Sequence, residues 1–478
     1  MSTDQSAKLP EYESLYQKRI PIYPRSVKGR YRSIKYAILL LAYGVYFLLP
    51  WLPWSRADGP DQSVLFDIVG RRFYIFDLTV FAQDIFWLAG LLIIAAFLLF
   101  FVTGIAGRVF CGYFCFQTLW TDVFMFIERL VQGDRNARMK LAQAPWSARK
   151  VLRMSATWLL WLGVAFWTGF SFTLYWGESG QLLHNFFTGS APFPAYATTL
   201  FLTLTTFVMA GLAREQVCTY MCPYARFQGA MFDSSTLIVA YDERRGERDK
   251  GRTKPEKGLL KHEERIAAGV GDCIDCGYCV QVCPVGIDIR NGLQYQCISC
   301  ALCIDACNTI MKAIDYPRGL IRYTSENQLN NKPVHRFSLK TVGYGLVVIL
   351  ASILLGWSIS TRTQVEMSVQ QVRQPLYVTL ADGSIQNRFE VKINNKQAST
   401  ASYQLQAIGI ENMNWEVRPA QEIQLAPGHS AMFQVRVWVR PEYLHRHETD
   451  FIFTLSDAQQ DVIVRKAVTF IAPEPAGK

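Results

Sequence analysis

Twelve cysteines carry the chemistry of this sequence, and all of them fall between Cys111 and Cys307. The densest stretch reads Cys273-Ile-Asp-Cys276-Gly-Tyr-Cys279-Val-Gln-Val-Cys283-Pro284, followed by Cys297-Ile-Ser-Cys300-Ala-Leu-Cys303-Ile-Asp-Ala-Cys307. Two runs of C-x2-C-x2-C-x3-C are the bacterial spacing for two 4Fe–4S clusters, in which the last cysteine of each run ligates the other cluster. Cys273, Cys276, Cys279 and Cys307 are thus expected to hold one cluster, and Cys297, Cys300, Cys303 and Cys283 the second. Three closely spaced thiolates wrap one face of a cube, and the fourth must come from a distant turn. Pro284 helps turn the chain after the first run, whereas Asn308 follows the second. Zinc is the rival, and eight cysteines in a doubled rhythm with no histidine among them make it a poor one. With no open iron position or substrate pocket legible in the sequence, the module reads as an electron relay.

The other four cysteines form two matched pairs. One stretch reads Arg108-Val-Phe-Cys111-Gly-Tyr-Phe-Cys115-Phe116, the other Arg214-Glu-Gln-Val-Cys218-Thr-Tyr-Met-Cys222-Pro223, with Tyr113 and Tyr220 at the same place between the thiols. On a continuing α-helix positions i and i+4 share a face, so each pair could chelate a soft ion and the two together could supply four thiolates. Cys111, Cys115, Cys218 and Cys222 are therefore the candidate catalytic and metal-binding thiols. Cu(I) suits such ligands best; a dithiol/disulfide couple and a further iron–sulfur centre stay open.

The elements that position these residues are largely apolar. Of 478 residues half are hydrophobic and 18% are charged, against about 25% charged in a typical soluble domain. Disorder, collagen and a small disulfide scaffold are excluded. Five runs without a charge, Tyr36 to Trp54, Ile85 to Gly107, Met154 to Gly177, Tyr196 to Ala213 and Thr341 to Thr361, are each long enough to cross roughly 30 Å of hydrocarbon as a helix. After the first thiol pair, Leu119, Trp120, Val123, Phe124, Ile127, Leu130 and Val131 share one helical face, which suggests an interfacial helix. The polar start, MSTDQSAKLPEYESLYQKRIPIYPRSVKGRYRS, does not read as a cleavable signal. No histidine lies in the five runs, which argues against an internal bis-histidine haem.

Basic residues set the orientation. Residues 1–35 hold eight Lys and Arg, 55–84 three, 108–153 eight and 178–195 none, and the stretch 214–340 is rich in them. The positive-inside rule then places the N-terminus, the 108–153 loop and the cysteine module in the cytoplasm, and five crossings put the C-terminus outside. Residues 361–478 carry 12 basic and 12 acidic side chains, so the net charge of +10 belongs to the membrane and cytoplasmic parts. That excess is explained by topology and anionic lipid, and nucleic-acid binding is not required. Cysteines kept on a reducing side read as metal or redox ligands instead of disulfides. Asp242 to Arg265, with sixteen charges in 24 residues, reads as a solvated linker that holds the module off the membrane. Beyond residue 365, short strands such as Phe389–Ile393, Tyr403–Ile408, Met432–Val439 and Phe451–Leu455, with turns at Asp382-Gly383 and Pro427-Gly428, suggest an immunoglobulin-like sandwich of about seven strands without its disulfide. The expected architecture is a multi-domain membrane protein: 1–33 a cytoplasmic N-terminal segment; 34–230 four transmembrane helices with the paired thiols at the cytoplasmic face; 231–337 the linker and two-cluster ferredoxin-like module; 338–361 a fifth transmembrane helix; 362–478 an external all-β immunoglobulin-like domain.

The strings FCGYFCFQTLW, VQGDRNARMKLAQAPW and REQVCTYMCPYARFQGAMFDSSTLIVAYDERRGE, with the doubled cysteine run, resemble the CcoG family, also called FixG or RdxA, over essentially the whole chain. The resemblance implies a bacterial inner-membrane, multi-pass iron–sulfur protein with a periplasmic C-terminal domain. Its implied role is to reduce Cu(II) to Cu(I), so that copper chaperones can metallate cbb3-type cytochrome c oxidase or its assembly intermediates. The C-x3-C-P motifs of the family map onto Cys111 and Cys115, and onto Cys218, Cys222 and Pro223. Phe116 stands where the first motif has proline, which puts the local turn in question. The implied partners are the lipid bilayer, copper ions and their chaperones, the oxidase, and an electron donor that the sequence does not identify. The alternatives are a quinol-linked membrane polyferredoxin and a non-enzymatic oxidase-assembly scaffold.

Overall fold

The computed structural model describes residues 21–473, except 57–58, 82–83, 257, 336–337, 398, 420–421, 445 and 458–460. The expected N-terminal segment therefore lies partly outside the described residues. Among those described, six helical stretches have the length and apolar composition to cross a membrane. They are Arg30–Trp51, which contains α1 (Arg30–Leu48); Ile85–Ala106 (α2); Val109–Gln132, made of α3 (Val109–Tyr113) and α4 (Phe116–Gln132); Ala148–Leu174; Phe193–Ala213; and Leu339–Ser360. Five coincide with the charge-free runs of the sequence. Leu40, Leu92, Leu200 and Ile349 each expose more than half of their surface, a burden that hydrocarbon relieves and water does not. The chain is a membrane protein.

Two compact units share the chain discontinuously, one built from residues 1–45, 97–170 and 196–345, the other from 46–96, 171–195 and 346–478. In the first, strands Ile238–Tyr241 and Ile321–Thr324 pair antiparallel, with Val239 opposite Tyr323. The helix Leu302–Ala313 and the cysteine loops close over them around Val239, Ile289, Ile304, Met311, Leu320 and Ile321. The charged stretch before the module is not a free tether. Arg265 is fully buried and donates to the carbonyls of Gly271, Thr253 and Cys273. Buried Asp272 accepts from Arg245 at 2.6 Å. High local charge shows solvation only when partners are absent, and here nearby backbone carbonyls and the Asp272 carboxylate supply them.

In the second unit the C-terminal residues form a sandwich. One sheet runs Asn414–Arg418, Ser430–Val439, Ile385–Asn395, Val365–Gln371, with the short Val378–Thr379 also on Ile385–Asn395. The facing sheet runs Glu422–Leu425, Ala401–Ile408, Glu448–Ser456, Val462–Ile471. Nine strands are thus formed among the described residues, two more than the sequence suggested, because edge strands as short as Val378–Thr379 carry no alternation to read. Alternate residues Phe433, Val435, Val437 and Val439 point inward, and Phe389, Phe451 and Phe453 meet edge to face with centroids 5.0 to 5.5 Å apart. Phe453→Ala is expected to cost about 3–5 kcal/mol, read as a lowered thermal midpoint of the sandwich by Trp415 and Trp438 fluorescence. Ahead of the sandwich in the chain, a three-stranded meander, Val64–Asp67, Arg72–Ile75 and Leu78–Phe81, leads to buried Asp84, which pairs with Arg362 at 2.9 Å and Lys396 at 3.1 Å.

Candidate functional site

The two cysteine runs adopt one backbone shape twice. Asp275 and Gly277 in the first, and Ser299 and Ala301 in the second, have φ of 48°, 63°, 52° and 60°. Left-handed residues on either side of the middle cysteine curl the chain so that its thiols face one void, a geometry that costs Asp275, Ser299 and Ala301 backbone strain. Two cavities result. One is lined by Cys283, Cys297, Cys300 and Cys303 with Val239, Val285 and Ile289, and the other by Cys273, Cys276 and Cys307 with Tyr241, Met311 and Leu320; Cys279 borders both. Cys283 thus stands with Cys297, Cys300 and Cys303, and Cys307 with Cys273 and Cys276, so each cavity draws a thiol from the other run. Every cysteine is free. Burial pushes the Cys279 thiol up to about 11 and those of Cys283 and Cys307 to about 12, with neighbouring cysteines adding to the rise for Cys283 and Cys307. Backbone N–H groups of Val285 and Ile287 approach Cys283, and that of Ser299 approaches Cys297, opposing the rise. Among the described residues no three His, Cys, Asp or Glu are drawn tightly enough to grip a single bare ion. Cysteines lining each apolar void, in the doubled spacing of the two runs, fit a multi-iron cluster in both cavities.

The second pair of thiols differs from the expected continuous helices. α3 stops at Tyr113, and Cys115 is extended, with ψ of 125°, as the N-cap of α4. Cys218 lies in a π-helical turn, Val217–Met221, and Cys222 is likewise extended, with ψ of 111°, as the N-cap of Pro223–Met231. The two turns are closed by the same i to i−5 hydrogen bond, Cys115 N–H to Phe110 O at 2.9 Å and Cys222 N–H to Val217 O at 2.8 Å. A wide turn places the paired thiols differently from one α-helical face, which corrects the i, i+4 expectation. The substitution of Phe116 for proline leaves the turn intact, because N1 needs no N–H partner and proline there is an option only. The matched tyrosines do diverge: Tyr113 is buried and Tyr220 is 66% exposed. Cys218 lies within electrostatic reach of Cys115, Cys111 and Cys222, and burial followed by those three thiols pushes it up to about 12. All four are partly buried.

The helix Pro223–Met231 and α3 lock this group in place. Gln228, fully buried, reaches the Cys111 sulfur with its amide nitrogen at 3.4 Å, and Thr118 donates to Cys111 O at 2.6 Å. Tyr224 and Thr103 share a hydroxyl contact of 2.6 Å. α4 is not simply an amphipathic surface helix, since its charged side is buried as well. Asp122 takes Arg32 at 2.9 Å and Lys35 at 3.3 Å, and Glu128 takes both Arg138 and Arg214. The apolar stripe was legible; the cations come from residues that sequence spacing does not connect to α4. Glu128→Ala leaves the buried Arg138 without its carboxylate and half-buried Arg214 with only Gly211 O and the Trp161 ring, and is expected to destabilise the unit by about 3 kcal/mol, measured as a lower midpoint in thermal unfolding monitored by loss of cluster absorbance.

A further residue missed in the sequence is Asp305, between Cys303 and Cys307. Its carboxylate accepts from the N–H groups of Tyr31 at 3.3 Å and Arg32 at 2.8 Å, so the cysteine module caps the start of α1. Upstream, Arg25 N–H bonds Gln281 O at 2.7 Å and Tyr278 donates to Ser26 O at 3.1 Å.

A family profile described as a 4Fe-4S dicluster domain matches residues 213–326, and one described as an IG-like fold at the C-terminal of FixG matches residues 355–473. Protein RdxA of Cereibacter sphaeroides is 40% identical over 437 residues, covering 89% of this chain and 90% of that protein. RdxB of the same organism is 42% identical over 445 residues, covering 89% and 90%. The nitrogen fixation protein FixG of Rhizobium meliloti is 39% identical over 423 residues, covering 80% and 78%. A crystal structure of a FixG-related protein from Vibrio parahaemolyticus aligns with 23% of this chain and 99% of its own, at 23% identity and a TM-score of 0.21.

Proposed function

Because the chain belongs to the RdxA/FixG family, we propose that this iron–sulfur membrane protein reduces Cu(II) to Cu(I) for the maturation of a cbb3-type cytochrome c oxidase. Cys273, Cys276, Cys279 and Cys307 hold one 4Fe–4S cluster in this reading, and Cys283, Cys297, Cys300 and Cys303 hold the other. When bound, such clusters supply one-electron chemistry at the potentials set by their surroundings. Cys111, Cys115, Cys218 and Cys222 bind copper as substrate, two thiolates to an ion, since no three such groups among the described residues are drawn tightly around one point. Thiolates are soft donors and favour the Cu(I) product over Cu(II), so they add to the driving force of the reduction. The observation that carries the reading is that the α3 segment bearing Cys111 packs directly against the loop bearing Cys297 and Cys300: Cys111 lies in the apolar cluster formed by Ile298, Cys300 and Leu302.

In this reading Val109–Gln132 lies at the cytoplasmic face and the other five apolar stretches cross, so the protein sits in the bacterial inner membrane with the module and thiols on the cytoplasmic side and the sandwich outside, as the distribution of basic residues supports. Copper reduced at the thiols is passed to a chaperone, and the sandwich is the surface offered to the oxidase or its assembly intermediates. Anaerobic stopped-flow oxidation of the dithionite-reduced protein, with Cu(II) and a soluble quinone tested side by side, examines the activity. Fast bleaching by Cu(II), one electron per copper, is expected. Reoxidation by the quinone alone would instead identify a quinol-linked relay.

A further inference from the structure

The geometry points to α3 as the junction through which electrons leave the module, with the quartet Cys283, Cys297, Cys300 and Cys303 as the exit side and Arg108 as the positioning residue that sets the charge at the crossing. This rests on the reading of the four outer thiols as the electron-accepting site. Three separate contacts converge on that one quartet. A Cβ added to Gly112 would lie 2.7 Å from Ile298 O and 3.0 Å from both N and Cα of Cys300. Only a residue without a side chain lets the backbone beside Cys111 approach the backbone of Cys300 so closely. The Tyr113 hydroxyl donates to Cys300 O at 3.2 Å, and Arg108 reaches Cys297 O at 3.4 Å.

Arg108 joins the two sides. Its other terminal nitrogen donates to Ala225 O at 2.7 Å, on the helix that carries Gln228 against Cys111. Its charge acts on Cys111 and Cys218 on one side and on Cys297 on the other. Arg108 is 6% exposed and its Nε is buried without a hydrogen-bond partner. A guanidinium cannot give up its proton in a protein, so a full positive charge is fixed between a cavity that becomes more negative on reduction and thiols that are negative when they bind copper. In a buried setting that charge stabilises the added electron on the Cys300 side and keeps the two negative centres from repelling each other. In the step itself, one electron leaves the module and one Cu(II) becomes Cu(I); no bond in the chain forms or breaks.

The test uses full-length, cluster-loaded protein in detergent. Redox titration followed by electron paramagnetic resonance reads each cluster, and stopped-flow oxidation by Cu(II) is compared with oxidation by ferricyanide, which needs no thiol site. Arg108→Gln is expected to make one of the two clusters harder to reduce and to leave the other unchanged, and Arg108→Lys is expected to restore it. Gly112→Val, which forces α3 away from Cys300, is expected to slow oxidation by Cu(II) about tenfold or more, with the ferricyanide rate unaltered. Arg108→Gln shifting both clusters equally, or neither, overturns the assignment, as does Gly112→Val protein that binds copper and is oxidised by it at the normal rate. If the unaltered protein is not oxidised by Cu(II) at all, the copper reading fails, and the single-cluster shift in Arg108→Gln still decides whether the junction touches the Cys300 side. Where Gly112→Val does not fold, the Arg108 pair carries the decision.

Discussion

Cys307→Ser is expected to abolish the cluster of the first cysteine run while sparing that of its own run. Iron and acid-labile sulfide should fall to about half, and the surviving paramagnetic signal should be that lost in the reciprocal variant, Cys283→Ser. The reason lies in one helix. Cys303 and Cys307 are a turn apart on Leu302–Ala313, yet Cys303 borders the cavity of Cys297 and Cys300, and Cys307 that of Cys273 and Cys276. Loss of a run's internal cysteine would look different: Cys300→Ser should remove the signal that survives in Cys307→Ser. If Cys307→Ser and Cys300→Ser abolish the same signal, the crossed arrangement is wrong. A pH effect accompanies this. Burial raises Cys283 and Cys307 to about 12, so the metal-free protein holds both as neutral thiols at neutral pH, and inserting iron must expel their protons. Reconstitution with iron and sulfide should therefore weaken as pH falls and strengthen as it rises, observable as absorbance recovered per chain between mildly acidic and mildly alkaline buffers.

The doubled cysteine runs were legible because their spacing is local: two and three residues between thiols is a statement about adjacent turns, and the known pattern carries the expectation that the last cysteine of each run crosses to the other, where the fold places it beside the other cavity. The sandwich was legible for a related reason, since strands such as Ser430–Val439 alternate cleanly between core and surface. What spacing could not show is who meets whom across the chain. α4 advertises an apolar stripe, but whether Asp122 and Glu128 face water or a buried guanidinium depends on Arg32, Lys35, Arg138 and Arg214. Asp305 reads as a helix surface residue until Tyr31 and Arg32 appear at its carboxylate. Gly112 reads as an ordinary small residue until Cys300 is found beneath it. The C-x3-C pairs fall between these cases: their repetition is visible in the text, whereas the i to i−5 closure that both share is a backbone choice with no residue signature beyond Pro223.

Replacing Cys111, Cys115, Cys218 and Cys222 together by serine is expected to remove copper binding and leave both clusters in place. Loss of an outer-shell partner alone typically costs 10- to 100-fold in metal affinity, so losing the thiolates themselves should weaken Cu(I) by more than about 100-fold, measured by competition with a chromophoric Cu(I) chelator. Oxidation of the reduced clusters by Cu(II) should slow in proportion, whereas ferricyanide should still oxidise them. The cluster content is the internal control: the four residues line neither cavity, and serine preserves their volume within a methylene. Phe116→Pro supplies the complementary result. Cys115 already has the extended conformation that a residue before proline prefers, so this substitution should leave copper affinity and stability close to unaltered. A large loss in Phe116→Pro would mean that the two turns are alike in backbone angles only. Normal copper reduction by the four-serine protein would place the reducing site elsewhere and leave the paired thiols as packing at the junction of the helices.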